Sequence, residues 1–225
     1  MSDFLHILEN EVQIVALSFL GIVYVIRLIW LFRFQSRRER TYPVGSERWG
    51  IFRSMMNITM PWAMESIRKK PVFYVQFLIF HLGVIAAISA TFIIPYWPQI
   101  FESKIWIILF QVIVSAAFLV GVLRLYRRLT NPAIRMISTA DDYFSLILMI
   151  IYFAVAVWAI PNTYEKSEWP LIFFFVLTAF FLVYVPFSKI GHYLYYPFTR
   201  FFIGRTMGHR GVDLKKNRET RGEGH

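Results

Sequence analysis

The chain is 225 residues long and 57% hydrophobic, with only 17% charged residues and 23 phenylalanines. Soluble domains run at roughly 45–50% apolar and about 25% charged, so a single water-surrounded core cannot absorb this load. The absence of cysteine excludes disulfides, thiolate metal sites, cysteine-ligated iron–sulfur clusters and thioether-linked haem.

The apolar residues fall in five long runs. Residues 1–12 carry Asp3, Glu9 and Glu11 and lack a basic leader with a small-residue cleavage pattern, so the first run, 13–32, is expected to be retained as a span. Segment 33–70 is the largest stretch between runs. It is punctuated by Pro43 and Pro61, and within it IFRSMMNITMPWAM (51–64) predicts a short amphipathic element along a membrane surface. The second run, 72–94, contains His81 and Gly83, and a short loop at 95–104 leads to the third, 105–123. The fourth, 143–160, follows Thr139, Asp141 and Asp142, which suit a helix N-terminus. After the short loop 161–169 comes the fifth, 170–187, then His192 and Tyr193, Tyr195 and Tyr196. Each run approaches the ~20 residues that cross ~30 Å of hydrocarbon at about 1.5 Å per residue. Helices are the natural reading, since lipid satisfies no backbone polar group.

Placing the charges turns a formal net charge of +10 from a nucleic-acid signature into a direction. Segment 33–70 carries nine basic residues, 124–135 four and the stretch from Lys189 onward eight, whereas the alternate side holds only Lys104 and Lys166. By the positive-inside rule the N-terminus is outside and the C-terminus cytoplasmic. The predicted fold is an all-α integral membrane protein, a five-transmembrane-helix bundle over residues 1–205 with a basic polar cytoplasmic tail at 206–225. The partners this implies are membrane lipid and an acidic cytoplasmic surface, and not nucleic acid.

Polar residues inside the runs are the candidate site. His81, in LIFHLGV beside Gly83, is either a haem ligand or a histidine bonded to a neighbouring helix. His192, preceded by Gly191 at the inner end of the fifth span, is either a ligand or an interfacial histidine. Taken together they offer two neutral imidazoles in the cytoplasmic half of the bundle, enough for both axial positions of a b-type haem. Tilt, or continuation of the fifth helix through YLYYPF, must bring them to one depth. Arg27 either snorkels to headgroups or pairs with a haem propionate, and Arg53, Arg68, Lys189 and Arg200 are further propionate partners. The tyrosines read as an interfacial belt, or as phenols able to bond a quinone carbonyl. His6, His209 and His225 lie in terminal segments and are poor ligand candidates.

FHLGV at 80–84, RRLTNPAIRMISTADD at 127–142, Ala-Ile-Pro at 159–161 and VPFSKIGHYLYYPFTRFFIGR at 185–205 resemble the gamma-subunit family of respiratory nitrate reductases. Cytochrome b subunits of heterodisulfide-reductase-like and sulfite-reduction-associated membrane complexes are related to it. The resemblance covers about residues 10–205. It implies a membrane cytochrome b that anchors a cytoplasmic iron–sulfur subunit and a catalytic subunit, exchanges electrons with quinone or menaquinone, and resides in a prokaryotic cytoplasmic membrane. It also implies that His81 and His192 are the axial ligands of the haem nearer the cytoplasm. In the family the outer haem uses a histidine ten residues after the first and another eighteen before the last. Those positions here are Thr91 and Phe174, so the resemblance implies one haem b with two histidine ligands. The competing expectation is a non-redox membrane anchor or assembly scaffold without haem.

Overall fold

The computed structural model describes residues 2–34, 39–60 and 68–212, and every regular element among them is helical. In chain order these are α1 (Asp3–Glu9), α2 (Glu11–Arg33), α3 (Glu47–Thr59), α4 (Pro71–Tyr96), α5 (Lys104–Thr130), α6 (Pro132–Met136), α7 (Ala140–Ala159), α8 (Trp169–Tyr184) and α9 (His192–His209), with 3-10 turns at Pro98–Glu102, Val185–Phe187 and Lys189–Gly191. Five stretches are long and apolar enough to cross a membrane: Asp3–Arg33, Pro71–Tyr96, Lys104–Thr130, Ala140–Ala159 and Trp169–Phe187. Each overlaps one of the five predicted runs, the first beginning earlier, at Asp3. The amphipathic element is α3, which ends at Thr59; residues 61–64 of the predicted segment and 213–225 of the tail lie outside the described residues.

The chain divides into two compact units, one of Met1–Val25 with Val72–Ile190 and the other of Ile26–Pro71 with Gly191–His225. The first is built on small residues where helices approach. Ala86, Ala87 and Ala90 of α4, Ala117 of α5, and Ala156 and Ala159 of α7 are all buried. Lipid tails are as apolar as leucine, so helices in a bilayer associate through close packing of this kind rather than by escaping water. A Cβ on Gly83 would collide with the Ala117 Cβ, so the room beside Gly83 is filled by α5. Among the large side chains Phe153, Phe174 and Phe175 are fully buried.

Polar side chains stitch these helices at a few points. The Gln13 amide nitrogen donates to the Phe175 carbonyl at 2.8 Å and to the Leu8 carbonyl at 3.1 Å, and Gln111 donates to the Val157 carbonyl at 3.0 Å. At the start of α7, Thr139 and Asp142 form a reciprocal capping box, and the Lys189 ammonium donates to Asp142 and to Thr139 at 2.9 Å each.

Two boundaries differ from the sequence expectation. α5 runs beyond residue 123 to Thr130, because its arginines keep helical backbone while their guanidiniums lie over aromatic faces. Arg124 sits 4.6 Å from the Phe80 ring centroid and Arg127 4.1 Å from that of Phe73. The fifth spanning helix does not continue through YLYYPF. It tightens into a 3-10 turn at Pro186, Ser188 is extended (φ −104°, ψ 170°), and α9 starts afresh at His192.

The second unit is a hairpin of α3 against α9. Gly50 and Ser54 of one helix face Gly204 and Gly208 of the other, so backbone lies directly on backbone. Ser54 donates to the Arg200 carbonyl at 2.6 Å and Arg200 Nε returns a bond to the Ser54 carbonyl at 3.1 Å. The segment ahead of α3 closes the C-terminus of α9, with the Val44 and Gly45 amides donating to the His209 carbonyl at 2.9 and 3.3 Å. Gly211 then takes a left-handed conformation (φ 63°) that lets the Val212 amide reach back to the Met207 carbonyl at 3.0 Å. Helix α9 thus carries on past residue 205, where the sequence suggested the membrane domain would end.

Candidate functional site

His81 lies on α4 in the first unit, half-buried, with its ring 4.0 Å from that of Phe77 and 6.2 Å from that of Phe80. Its Nδ1 is 2.8 Å from the Phe77 carbonyl oxygen. A carbonyl only accepts, so Nδ1 carries a proton. A histidine held this way through one nitrogen is oriented to ligate through the other. His192 belongs to the second unit, where it is exposed as the first residue of α9. In donor chemistry the pair suits the axial positions of a b-type haem, which needs neutral imidazole and no cysteine.

The candidate propionate partners have engagements of their own. Arg27 donates to the Tyr195 hydroxyl within the second unit, which also ties one of the candidate quinone phenols. Arg200 is bound into the α3–α9 hairpin, and Lys189 serves the α7 cap. Arg53 is half-buried on α3 and Arg68 is exposed just ahead of α4. Asp141 accepts from the Tyr184 hydroxyl at 2.7 Å, and that hydroxyl is 2.9 Å from the Ser145 hydroxyl.

The positions of the family's outer ligands are part of the packed interior. Thr91 is buried and donates to the Ile88 carbonyl at 2.7 Å; Phe174 is fully buried and stacks on Tyr152, with ring centroids 5.5 Å apart and planes at 10°.

The most developed polar site is one that the sequence reading passed over. His209, only 8% exposed, places Nδ1 at 3.1 Å from a Glu47 carboxylate oxygen and Nε2 at 2.7 Å from the Thr41 carbonyl. A carbonyl and a carboxylate both accept, so both ring nitrogens donate and the ring is an imidazolium. Around it Arg205 Nε donates to Glu47 at 3.2 Å and Arg210 Nε to Glu39 at 2.7 Å. Glu47 falls at the first turn of α3 and His209 at the last turn of α9, where each charge suits the helix dipole. The signal was present as an acidic N-terminus and a basic C-terminus, but they are far apart in sequence.

The Thr41 carbonyl, and then Glu47, raise the His209 pKa above its ordinary 6.5. His209 and Arg205 hold the Glu47 carboxyl below its ordinary 4.5, and Arg210 does the same for Glu39. A raised histidine contributes stability that is complete below about pH 6.5 and lost as pH climbs through its folded value; depressed carboxylates contribute above about pH 4.5 and fail as pH falls through theirs. Resistance of α3 to trypsin at Arg48 and Arg53 is therefore expected to peak between those limits. His209→Gln should flatten the alkaline limb of the profile. An alkaline limb unchanged in that variant would assign the loss to another group.

No protein-family model matches the chain, and no curated protein matches it at a significant level.

Proposed function

We propose that this chain is the haem b-binding membrane subunit of a quinone-linked respiratory oxidoreductase, akin to the nitrate reductase gamma-subunit family. The observation that carries the proposal is His81, an imidazole on an apolar helix whose Nδ1 is held 2.8 Å from the Phe77 carbonyl oxygen of the same helix. His192, from the PFSKIGH segment, is the second axial ligand in this reading. When bound, haem b supplies one-electron transfer between two-electron quinol and single-electron iron–sulfur carriers. The protein's own part is to hold two neutral imidazoles and to present a basic surface to its partner. The distribution of basic residues supports a cytoplasmic C-terminus in a prokaryotic cytoplasmic membrane, with the iron–sulfur and catalytic subunits resting on 33–70, 124–135 and the final segment.

The test is a dithionite-reduced minus oxidised spectrum of the purified chain, with iron counted against protein. A b-type signal from a single haem is expected, lost in both His81→Ala and His192→Ala while helix content is kept. A colourless, well-folded protein would instead favour the anchor without haem.

A further inference from the structure

A cavity of about 950 Å³ opens within the second unit beside the His209 cluster. Its polar wall holds four cationic side chains, Arg40, Arg205, Arg210 and the imidazolium of His209, against two carboxylates, Glu39 and Glu47. The carboxylates are matched within the protein, Glu47 by Arg205 and His209 and Glu39 by Arg210. Arg40 makes no hydrogen bond or ion pair among the described residues, although it is part of the lining. The cavity therefore keeps an excess of positive charge and one guanidinium with its donors unspent. Such a fork fits phosphate oxygens.

The lining also holds two phenylalanines. Phe34 and Phe202 meet edge to face, their centroids 6.5 Å apart, and next to them Phe32 meets Phe198 at 5.4 Å. Phe34 is also the first residue beyond α2, a helix within a stretch long and apolar enough to span a membrane. A cavity that starts at the end of such a stretch is within reach of headgroups where that stretch spans a membrane. Cationic and aromatic side chains lining one cavity suit an amphiphile better than a free ion.

We propose that this cavity binds the phosphodiester headgroup of an anionic phospholipid, with Arg40 as the principal contact and the phenylalanines against the start of the acyl chains. A soluble phosphate would share the chemistry of the head but have no use for the aromatic side chains.

The experiment takes the full chain in mild detergent and measures retained dioleoyl phosphatidylglycerol against dioleoyl phosphatidylcholine by native mass spectrometry. Inorganic phosphate is the competing probe. Arg40→Gln is expected to lower phosphatidylglycerol retention about tenfold, the scale of one charge-assisted hydrogen-bonded contact. Thr206→Glu, which puts a carboxylate at an exposed position of the same wall, should do likewise. Arg48→Gln removes the same charge from an exposed position of α3 outside the cavity and should leave retention within twofold. Equal losses in Arg40→Gln and Arg48→Gln would overturn the proposal in favour of diffuse attraction, as would equal retention of the two lipids by the unaltered chain. Millimolar phosphate displacing the lipid through Arg40 would overturn the lipid as the ligand and leave a soluble phosphate in its place.

Discussion

Replacing Gly50 with valine is expected to force α3 and α9 apart and to destabilise the hairpin by about 3 kcal/mol or more. Even the first added carbon would strike the Gly204 carbonyl oxygen, and it would lie 2.5 Å from the Gly208 Cα and 2.7 Å from the Gly208 nitrogen. All three obstacles are backbone, so no side-chain rotation relieves them. Separation would also strain the Ser54–Arg200 exchange and the Glu47–His209 contact, which depend on the same approach. The expected readout is rapid trypsin cleavage at Arg48 and Arg53, with helix content in the five apolar stretches retained. Gly21 serves as the control, since a Cβ there meets nothing within 4 Å; Gly21→Ala should leave the digestion pattern unchanged. Equal protection of Gly50→Val and the parent chain would mean that the helices are not in backbone contact.

Truncating Phe174 to alanine should cost about 3–5 kcal/mol in the first unit, the usual scale for removing a buried aromatic. Phe174 is sealed from solvent, stacked on Tyr152 and set edge to face against Phe175 at 5.5 Å, while Tyr152 packs on Phe181 at 4.9 Å. Its neighbours are large rings in contact with one another, so the site cannot close by small shifts. Thermal unfolding in detergent, followed by loss of helix content, measures the effect. The same packing gives a second expectation. The double variant Thr91→His with Phe174→His should add no second b-type signal, because the space a macrocycle would need is occupied by the Tyr152 stack. A second haem in that variant would show that this core gives way more readily than its packing implies.

The spanning helices were legible because hydrocarbon thickness imposes a length and lipid imposes composition, and both are local properties of sequence. The end of α5 was not, since a hydropathy reading stops at Arg124 whereas the helix stops only where its backbone does. The hairpin was hidden for another reason. The four-residue spacings Gly50–Ser54 and Gly204–Gly208 are visible, but nothing local says that one pair faces the other. Gly204 and Gly208 permit the backbone of α9 to lie on that of α3, a role their spacing alone does not announce. His209 was set aside for its place near the C-terminus, while its burial comes from partners at residues 41 and 47. The candidate cations Arg27, Lys189 and Arg200 were chosen by depth alone; the structure gives each a protein partner that depth could not reveal. His81 stood out because an imidazole in an apolar helix is costly unless something uses it.

The hairpin also has a history during synthesis. Its two strands of chain, Ile26–Pro71 and Gly191–His225, are separated by the whole sequence from Val72 to Ile190. At ~5–20 residues per second, translation leaves α3 without α9 for on the order of ten seconds. Throughout that interval Gly50 and Ser54, which pack on α9 in the finished fold, have no partner helix. The nascent α3 must wait against lipid or a chaperone until α9 has been made.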